Sequence, residues 1–184
     1  MLILLDRDGV INEDRPDHVK NPDEFVMIPR SAEAVARLNQ AGHKIALVTN
    51  QSGIGRELYD EAMLGRIHEK MKDELAAKGG HLDAIFVCPD RPDQATDRRK
   101  PGPEMLNEAM RQFRMLASDC VMVGDAARDL EAAANIGISR FLVRTGKGAA
   151  TQGAGLDTKL LPVMVCEDLW DVVVKILEPT HGSD

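Results

Sequence analysis

Short aliphatic runs alternate along the chain with longer stretches whose apolar residues recur every three or four positions. The first run, Leu2–Leu5, is apolar throughout and stops at Asp6. Comparable runs cover residues 44–49, 84–88, 120–123, 141–143 and 163–166. Such unbroken runs read as strands buried on both faces, the pattern of a parallel sheet. Between them, residues 31–41 place Val35, Leu38 and Ala41 on one helical face, and Gly42 ends the pattern. Asp60 is placed to cap a long helix striped by Leu64, Ile67, Met71 and Leu75, which Gly79-Gly80 stops. Pro103 opens another helix, carrying Leu106, Ala109, Met110 and Phe113. An Ala-rich helix over 128–135 ends before Gly137, and a last helix carries Leu169, Val172, Val173 and Ile176.

Strands alternating with helices imply right-handed crossovers and a sheet covered on both faces. The expected fold class is therefore α/β: a three-layer Rossmann-like fold around a central, mostly parallel sheet. A chain of 184 residues fits one domain, placed at residues 1–178, with 179–184 as a frayed tail. The polar, Pro-containing stretch 89–101 reads as a surface loop.

Aromatic residues make up only 3% of the chain, so the core must be aliphatic. A net charge of −7 argues against nucleic acid as partner, because a phosphate backbone needs a basic face. The opening apolar run is too short for a signal peptide or a membrane span, and no later segment is long enough to cross a bilayer. Cys88, Cys120 and Cys166 follow no disulfide framework and suit reduced thiols in the cytoplasm. A monomer is expected. His43, His68, His81 and His181 read as surface residues.

Candidate chemistry clusters where predicted strands end. The first strand ends in Asp6-Arg7-Asp8-Gly9 and the second in Thr49-Asn50-Gln51-Ser52-Gly53. The loop after the third ends in Arg98-Arg99-Lys100-Pro101, and the fourth ends in Gly124-Asp125. Ligands of open parallel sheets bind just beyond these carboxyl ends. The set suits phosphoryl transfer: a carboxylate, Asp6, can attack phosphorus, and Mg2+ held by Asp6 and Asp125 can neutralise charge. Thr49 can donate to a phosphoryl oxygen, and Lys100 can offset the charge of the transferring group. Asp8, two residues after Asp6, can protonate the leaving alcohol and later deprotonate the attacking water.

In order, Asp-x-Asp-Gly, a strand-terminal Thr, Lys before Pro and Gly-Asp-x-x-x-Asp resemble the four motifs of the haloacid dehalogenase-like superfamily. The resemblance implies that Asp8 also ligates metal through its carbonyl and that Asp129 supports the site from behind the ligands. Asp-Arg-Asp-Gly-Val-Ile-Asn, Thr-Asn-Gln-Ser-Gly-Ile-Gly-Arg, Arg-Lys-Pro and Val-Arg-Thr-Gly-Lys are similar to the histidinol-phosphatase-like subgroup, over residues 1–148. This implies a small sugar phosphate as substrate, first the 7-phosphate of D-glycero-D-manno-heptose 1,7-bisphosphate. Histidinol phosphate or another small phosphomonoester comes second. Such a heptose enzyme serves the making of lipopolysaccharide core. Substrate contacts implied are Arg99, Asn50, Gln51, Ser52 and the loop 14–19, where His18 is a further candidate; Lys147 is a candidate for a distal substrate group. No inserted cap is expected.

Two departures stand out. Subgroup members carry Cys-x-His and later Cys-x-Cys before Arg-Lys-Pro, whereas here Asp90, Thr96 and Arg98 replace all but Cys88. One thiol cannot close a tetrahedral zinc site, so no zinc is expected. Ion pairs of Asp90, Asp93 or Asp97 with the arginines should hold the loop instead. Ala126 stands where the heptose enzyme often has Lys. A reading of another class, a phospho-accepting receiver domain, shares an acidic magnesium site but lacks a second acid two residues after the phosphorylated one.

Overall fold

The computed structural model describes residues 1–178; the predicted tail and His181 lie outside them. Six strands form one parallel sheet in the order β3-β2-β1-β4-β5-β6. They are β1 (Leu2–Leu5), β2 (Lys44–Asn50), β3 (Ala84–Cys88), β4 (Cys120–Gly124), β5 (Ser139–Val143) and β6 (Met164–Cys166). All five pairings are parallel, so the expected α/β class is met with no antiparallel strand in this sheet.

Alternate residues of the central strands feed two cores. Ile3, Leu5, Ile45, Leu47, Val121 and Val123 face one side, against α1 (Ser31–Gln40), α3 (Glu61–Ala76) and α7 (Leu169–Leu177). Leu2, Leu4, Ala46, Val48, Cys120 and Met122 face the other, against α4 (Glu104–Phe113) and α5 (Ala127–Ala134). The three layers follow from this period-2 partition, since each face must be covered by an apolar helix stripe. Asp60 caps α3, accepting from Met63 N at 2.7 Å. The single tryptophan, Trp170 of α7, lies under the guanidinium of Arg30 at 4.0 Å from its centroid, which ties α7 to the start of α1.

Two short helices, α2 (Ser52–Gly55) and α6 (Gly148–Gly153), escape the sequence pattern because four or six residues show no helical period. β2 runs one residue further than its apolar stretch, to Asn50, and β5 starts two residues earlier, at Ser139. Between Gly9 and α1 there is only a 3-10 turn, Pro22–Glu24, and between β2 and β3 only α2 and α3, which leaves no inserted cap. No helix among the described residues is long and apolar enough to cross a membrane. One surface assignment is corrected: His68 is only 7% exposed, because the face of α3 beside Leu64 and Ile67 turns into the sheet.

The strand order reverses between β1 and β4, which pair with Leu5 beside Val123. That register sets the next residues, Asp6 and the Gly124-Asp125 turn, side by side at the switch point where ligands of such sheets bind. Leu47, fully buried at the sheet centre, tests the core. Leu47→Ala should cost about 2–5 kcal/mol of unfolding free energy in a urea titration; a loss under about 0.5 kcal/mol would contradict its packing.

Candidate active site

Asp6 leaves the end of β1 with its backbone N–H bonded to Val123 O at 3.0 Å, so the chain is still in sheet register there. Its Oδ1 accepts from Arg7 N at 2.8 Å and lies 3.1 Å from Lys100 Nζ. Gly9 turns the chain away at φ +83°, and a Cβ there would fall 2.1 Å from Asp125 Oδ2. Glycine is thus required both for the backbone and for the approach of Asp125.

Asp6, Asp125 and Asp129 are all buried, and one carboxylate oxygen of each lies within 4.8 Å of the others. Lys100, 1% exposed, is the ammonium among them: its Nζ is 2.7 Å from Asp129 Oδ1 and 2.8 Å from Val48 O. Three buried carboxylates, with the Lys100 ammonium between two of them and the Arg128 guanidinium near all three, leave an excess of negative charge. Burial, with Asp6 and Asp129 nearby, pushes the Asp125 carboxyl up to about 7. Burial also raises Asp6, although Lys100 opposes the shift. Burial disfavours the Lys100 charge, yet Asp129 and Asp6 outweigh it and hold its pKa above the ordinary value.

Loops complete this cluster. Asp125 Oδ2 accepts from Lys147 N at 2.8 Å, while its buried Oδ1 has no hydrogen-bond partner. Gly146 makes that approach possible, since a Cβ there would lie 2.3 Å from Asp125 Oδ2. Thr145 Oγ1 donates to Gly9 O at 2.6 Å, which joins the loop after β5 to the one after β1. Asp129 Oδ2 accepts from Ala126 N at 3.0 Å, so this acid braces the start of α5 as well as Lys100.

Asp8 does not join the three converging acids. Its carboxylate is held by Arg7, Asn12 Nδ2 at 2.9 Å and Gln51 Nε2 at 2.9 Å. Burial works against its charge, but Arg7 and these hydrogen bonds outweigh it and keep the pKa below the usual carboxylate range. Thr49 is fully buried and its Oγ1 accepts from Gln51 Nε2 at 2.9 Å, which leaves the hydroxyl hydrogen to donate elsewhere. Gln51, expected to touch substrate, is 2% exposed and spends its amide on Asp8, Thr49 and Tyr59. Asn50 exchanges two hydrogen bonds with the backbone of Lys100, at 3.0 and 3.1 Å, and so fixes the loop that delivers it.

Beside this cluster opens a polar cleft lined by Asp8, Asp14, Arg15, Pro16, His18, Asn50, Ser52, Arg99, Arg128 and Lys147. The expected contacts Asn50, Ser52, Arg99 and His18 thus share one cavity. Lys147 closes one side through an ion pair with Asp14 at 2.7 Å. Arg128 was not anticipated; its signal was a cation inside the Gly-Asp-x-x-x-Asp motif, one turn from Asp125. Burial and the Arg56 charge keep the His18 pKa low.

The loop at 89–99 is held only in part as expected. Only Asp93 pairs with an arginine, Arg91, at 3.0 Å, and both are at the surface. Asp90 instead accepts from Thr96 Oγ1 at 2.5 Å and Thr96 N at 2.9 Å. The tie to the body is Arg98 to Glu108 of α4 at 2.8 Å, with Arg98 also donating to Val87 O. Arg99 donates to Asp90 O at 2.7 Å, which sets its guanidinium at the cleft.

Over 179 residues the chain is 46% identical to the D-glycero-beta-D-manno-heptose-1,7-bisphosphate 7-phosphatase of Bordetella bronchiseptica, covering 96% of this chain and 98% of that one. The chain belongs to the haloacid dehalogenase-like hydrolases. The HAD-hydrolase-like family model matches residues 97–172. The Pseudomonas aeruginosa protein of the same name is 43% identical, over 96% of this chain and 98% of its own. Among solved structures, the B. bronchiseptica D,D-heptose 1,7-bisphosphate phosphatase complexed with magnesium and phosphate superposes with a TM-score of 0.91, at 46% identity, over 96% of this chain and 97% of that one. The Burkholderia thailandensis D,D-heptose 1,7-bisphosphate phosphatase follows with a TM-score of 0.75 at 40% identity, over 96% of this chain and 98% of its own.

For a haloacid dehalogenase-like site, the residues present fit a hard divalent cation. Oxygen donors, an excess of buried negative charge and the unpartnered Asp125 Oδ1 are what Mg2+ requires. A carboxyl raised to about 7 binds its proton more tightly folded than unfolded. The stability this contributes is present in acid and is lost as pH rises through 7. The ion-free protein should therefore melt at a lower temperature at pH 8 than at pH 6, and Mg2+ should raise the melting temperature more at pH 8. Equal magnesium-induced shifts at both pH values in a thermal scan would contradict this.

Proposed function

We propose that this chain is a magnesium-dependent phosphatase that removes the 7-phosphate of D-glycero-β-D-manno-heptose 1,7-bisphosphate. The observation that carries the reading is the convergence of Asp6, Asp125 and Asp129, with Lys100 paired to the first and last, in a chain alike over nearly its whole length to phosphatases of that substrate. The cleft supports it, since Arg99, Arg128 and Lys147 give a protein of net charge −7 a local basic wall for an anionic sugar.

The chain's own groups divide the work. Mg2+ bound by Asp6, Asp125 and the Asp8 carbonyl supplies charge neutralisation for the attack of an anion on an anion. Asp6 Oδ2, which makes no hydrogen bond, is the oxygen left to attack phosphorus, while Oδ1 is fixed by Arg7 N and Lys100. Attack forms an aspartyl phosphate and expels the sugar alkoxide, to which Asp8, a carboxylate in the free protein, relays the proton of the entering phosphate monoanion. In the second half, Asp8 takes a proton from water as the water oxygen attacks the same phosphorus and frees Asp6. Thr49 donates to a phosphoryl oxygen throughout, and Lys100 keeps its charge beside the carboxylate that attacks. Asp129 and Asn50 hold Lys100 in place.

Asp6→Asn should lower kcat by about a thousandfold or more while leaving the protein folded, as a cooperative melting transition would show; retained turnover would remove the nucleophile assignment. In steady-state assays over sugar phosphates and histidinol phosphate, kcat/KM should be highest for the heptose bisphosphate. A preference of more than about tenfold, or about 1.4 kcal/mol, for another ester would overturn the substrate while leaving the phosphatase.

A further inference from the structure

The side-chain amide of Gln51 is buried and meets three partners, which together fix the way it lies. Asp8 Oδ2 accepts from Arg7 Nη2 at 3.1 Å, and an arginine can only donate. An amide oxygen turned to that atom would face a second acceptor, so the amide end 2.9 Å from it is the NH2 group. The carbonyl end must then face Tyr59, whose hydroxyl donates to Oε1 at 2.7 Å. The second amide hydrogen points at Thr49 Oγ1, 2.9 Å away.

The consequence falls on Thr49. A threonine hydroxyl has one hydrogen to give and two lone pairs to receive. With a fixed donor on one side, Oγ1 must accept there and turn its own hydrogen away. The preceding residue shows where this happens: Val48 O takes Lys100 Nζ at 2.8 Å, and the same Nζ lies 3.1 Å from Asp6 Oδ1. The threonine therefore sits beside the carboxylate that attacks phosphorus. Gln51 and Tyr59 are themselves held. Gln51 N donates to Cys88 O at 2.7 Å, and the Tyr59 ring is pressed on Gly53, where a Cβ would fall 2.2 Å from it. Neither residue lines the cleft, so their effect on substrate must pass through another group.

We propose that Gln51, oriented by Asp8 and Tyr59, is a positioning residue that sets the direction of the Thr49 hydroxyl, so that its hydrogen is presented to a phosphoryl oxygen before substrate arrives. The inference rests on the phosphatase reading above. No proton changes hands in this step. Thr49 keeps its hydrogen and only donates a hydrogen bond, which strengthens as negative charge gathers on the phosphoryl oxygens. A donor already aimed has no reorientation to make at that moment, and a hydroxyl free to rotate does.

A double-mutant cycle between Gln51 and Thr49 tests this. With saturating Mg2+, kcat/KM is measured on p-nitrophenyl phosphate, whose acidic phenol leaves without help from Asp8. The inhibition constant of orthovanadate, which mimics the phosphoryl group with no alcohol to expel, is measured beside it. Thr49→Val should lower kcat/KM by about a hundredfold, the loss of one donor to the reacting group. Gln51→Leu should lower it by about tenfold and weaken vanadate by a similar factor, yet in the Thr49→Val background it should cost less than about threefold more, because the hydroxyl it directs is gone. Tyr59→Phe, which keeps the amide, should lose about threefold, again only when Thr49 is present, and serves should Gln51→Leu not fold. Losses that multiply in the double variant, or full activity and vanadate affinity in a folded Gln51→Leu or Tyr59→Phe protein, would overturn the assignment of Gln51. A wild-type protein that hydrolyses neither p-nitrophenyl phosphate nor the heptose bisphosphate would overturn the phosphatase reading, and this inference with it.

Discussion

Everything at the mouth of this sheet depends on burying three carboxylates against a single ammonium. Asp6, Asp125 and Asp129 come from two adjacent strand ends and one helix start, and Lys100 reaches between them from the loop after β3. Like charges so close and so dry do not hold together unaided, and the raised pKa values of Asp6 and Asp125 register that strain. A divalent cation resolves it, so affinity for the ion and catalytic competence have one physical origin.

The surrounding backbone is arranged to keep those groups from drifting apart. Asn50 clasps the Lys100 peptide, Lys147 N and Gly146 close on Asp125, and Thr145 pins Gly9. Each contact links loops following different strands, so the site is stiff although it is made of loops. Close approach is bought with glycine: a Cβ at Gly9 or Gly146 would strike the Asp125 carboxylate.

A second set of contacts separates the two acids of the first motif. Asp6 is committed to the cluster, whereas Asp8 is drawn to Arg7, Asn12 and Gln51 and held ionised. Two residues of one tripeptide thereby acquire opposite environments, which suit them to different chemistry. The loop at 89–99 achieves order by similar means: Asp90 takes Thr96 and Arg98 takes Glu108. The outcome that matters is the placement of Arg99 at the cleft.

Sequence alone determined the six strands, the five longer helices and the parallel sheet, and it named Asp6, Asp8, Thr49, Lys100 and Asp125 as candidates, because periodicity and strand-end polarity are local properties of the chain. It did not reveal α2 or α6, which are shorter than the period that would betray them. Nor did it reveal which charges meet. Arg98 sits in a run of cations that reads as solvated, and its partner Glu108 is ten residues away on another element. His68 reads as a surface residue in the sequence, and the rotation of α3 against the sheet buries it. Gln51 and Arg128 exchanged prominence for the same reason: whether a side chain faces the cleft or lies under it depends on how the layers stack. Tertiary structure decided the company each group keeps, since burial and neighbouring charge, which set its chemistry, exist only after folding.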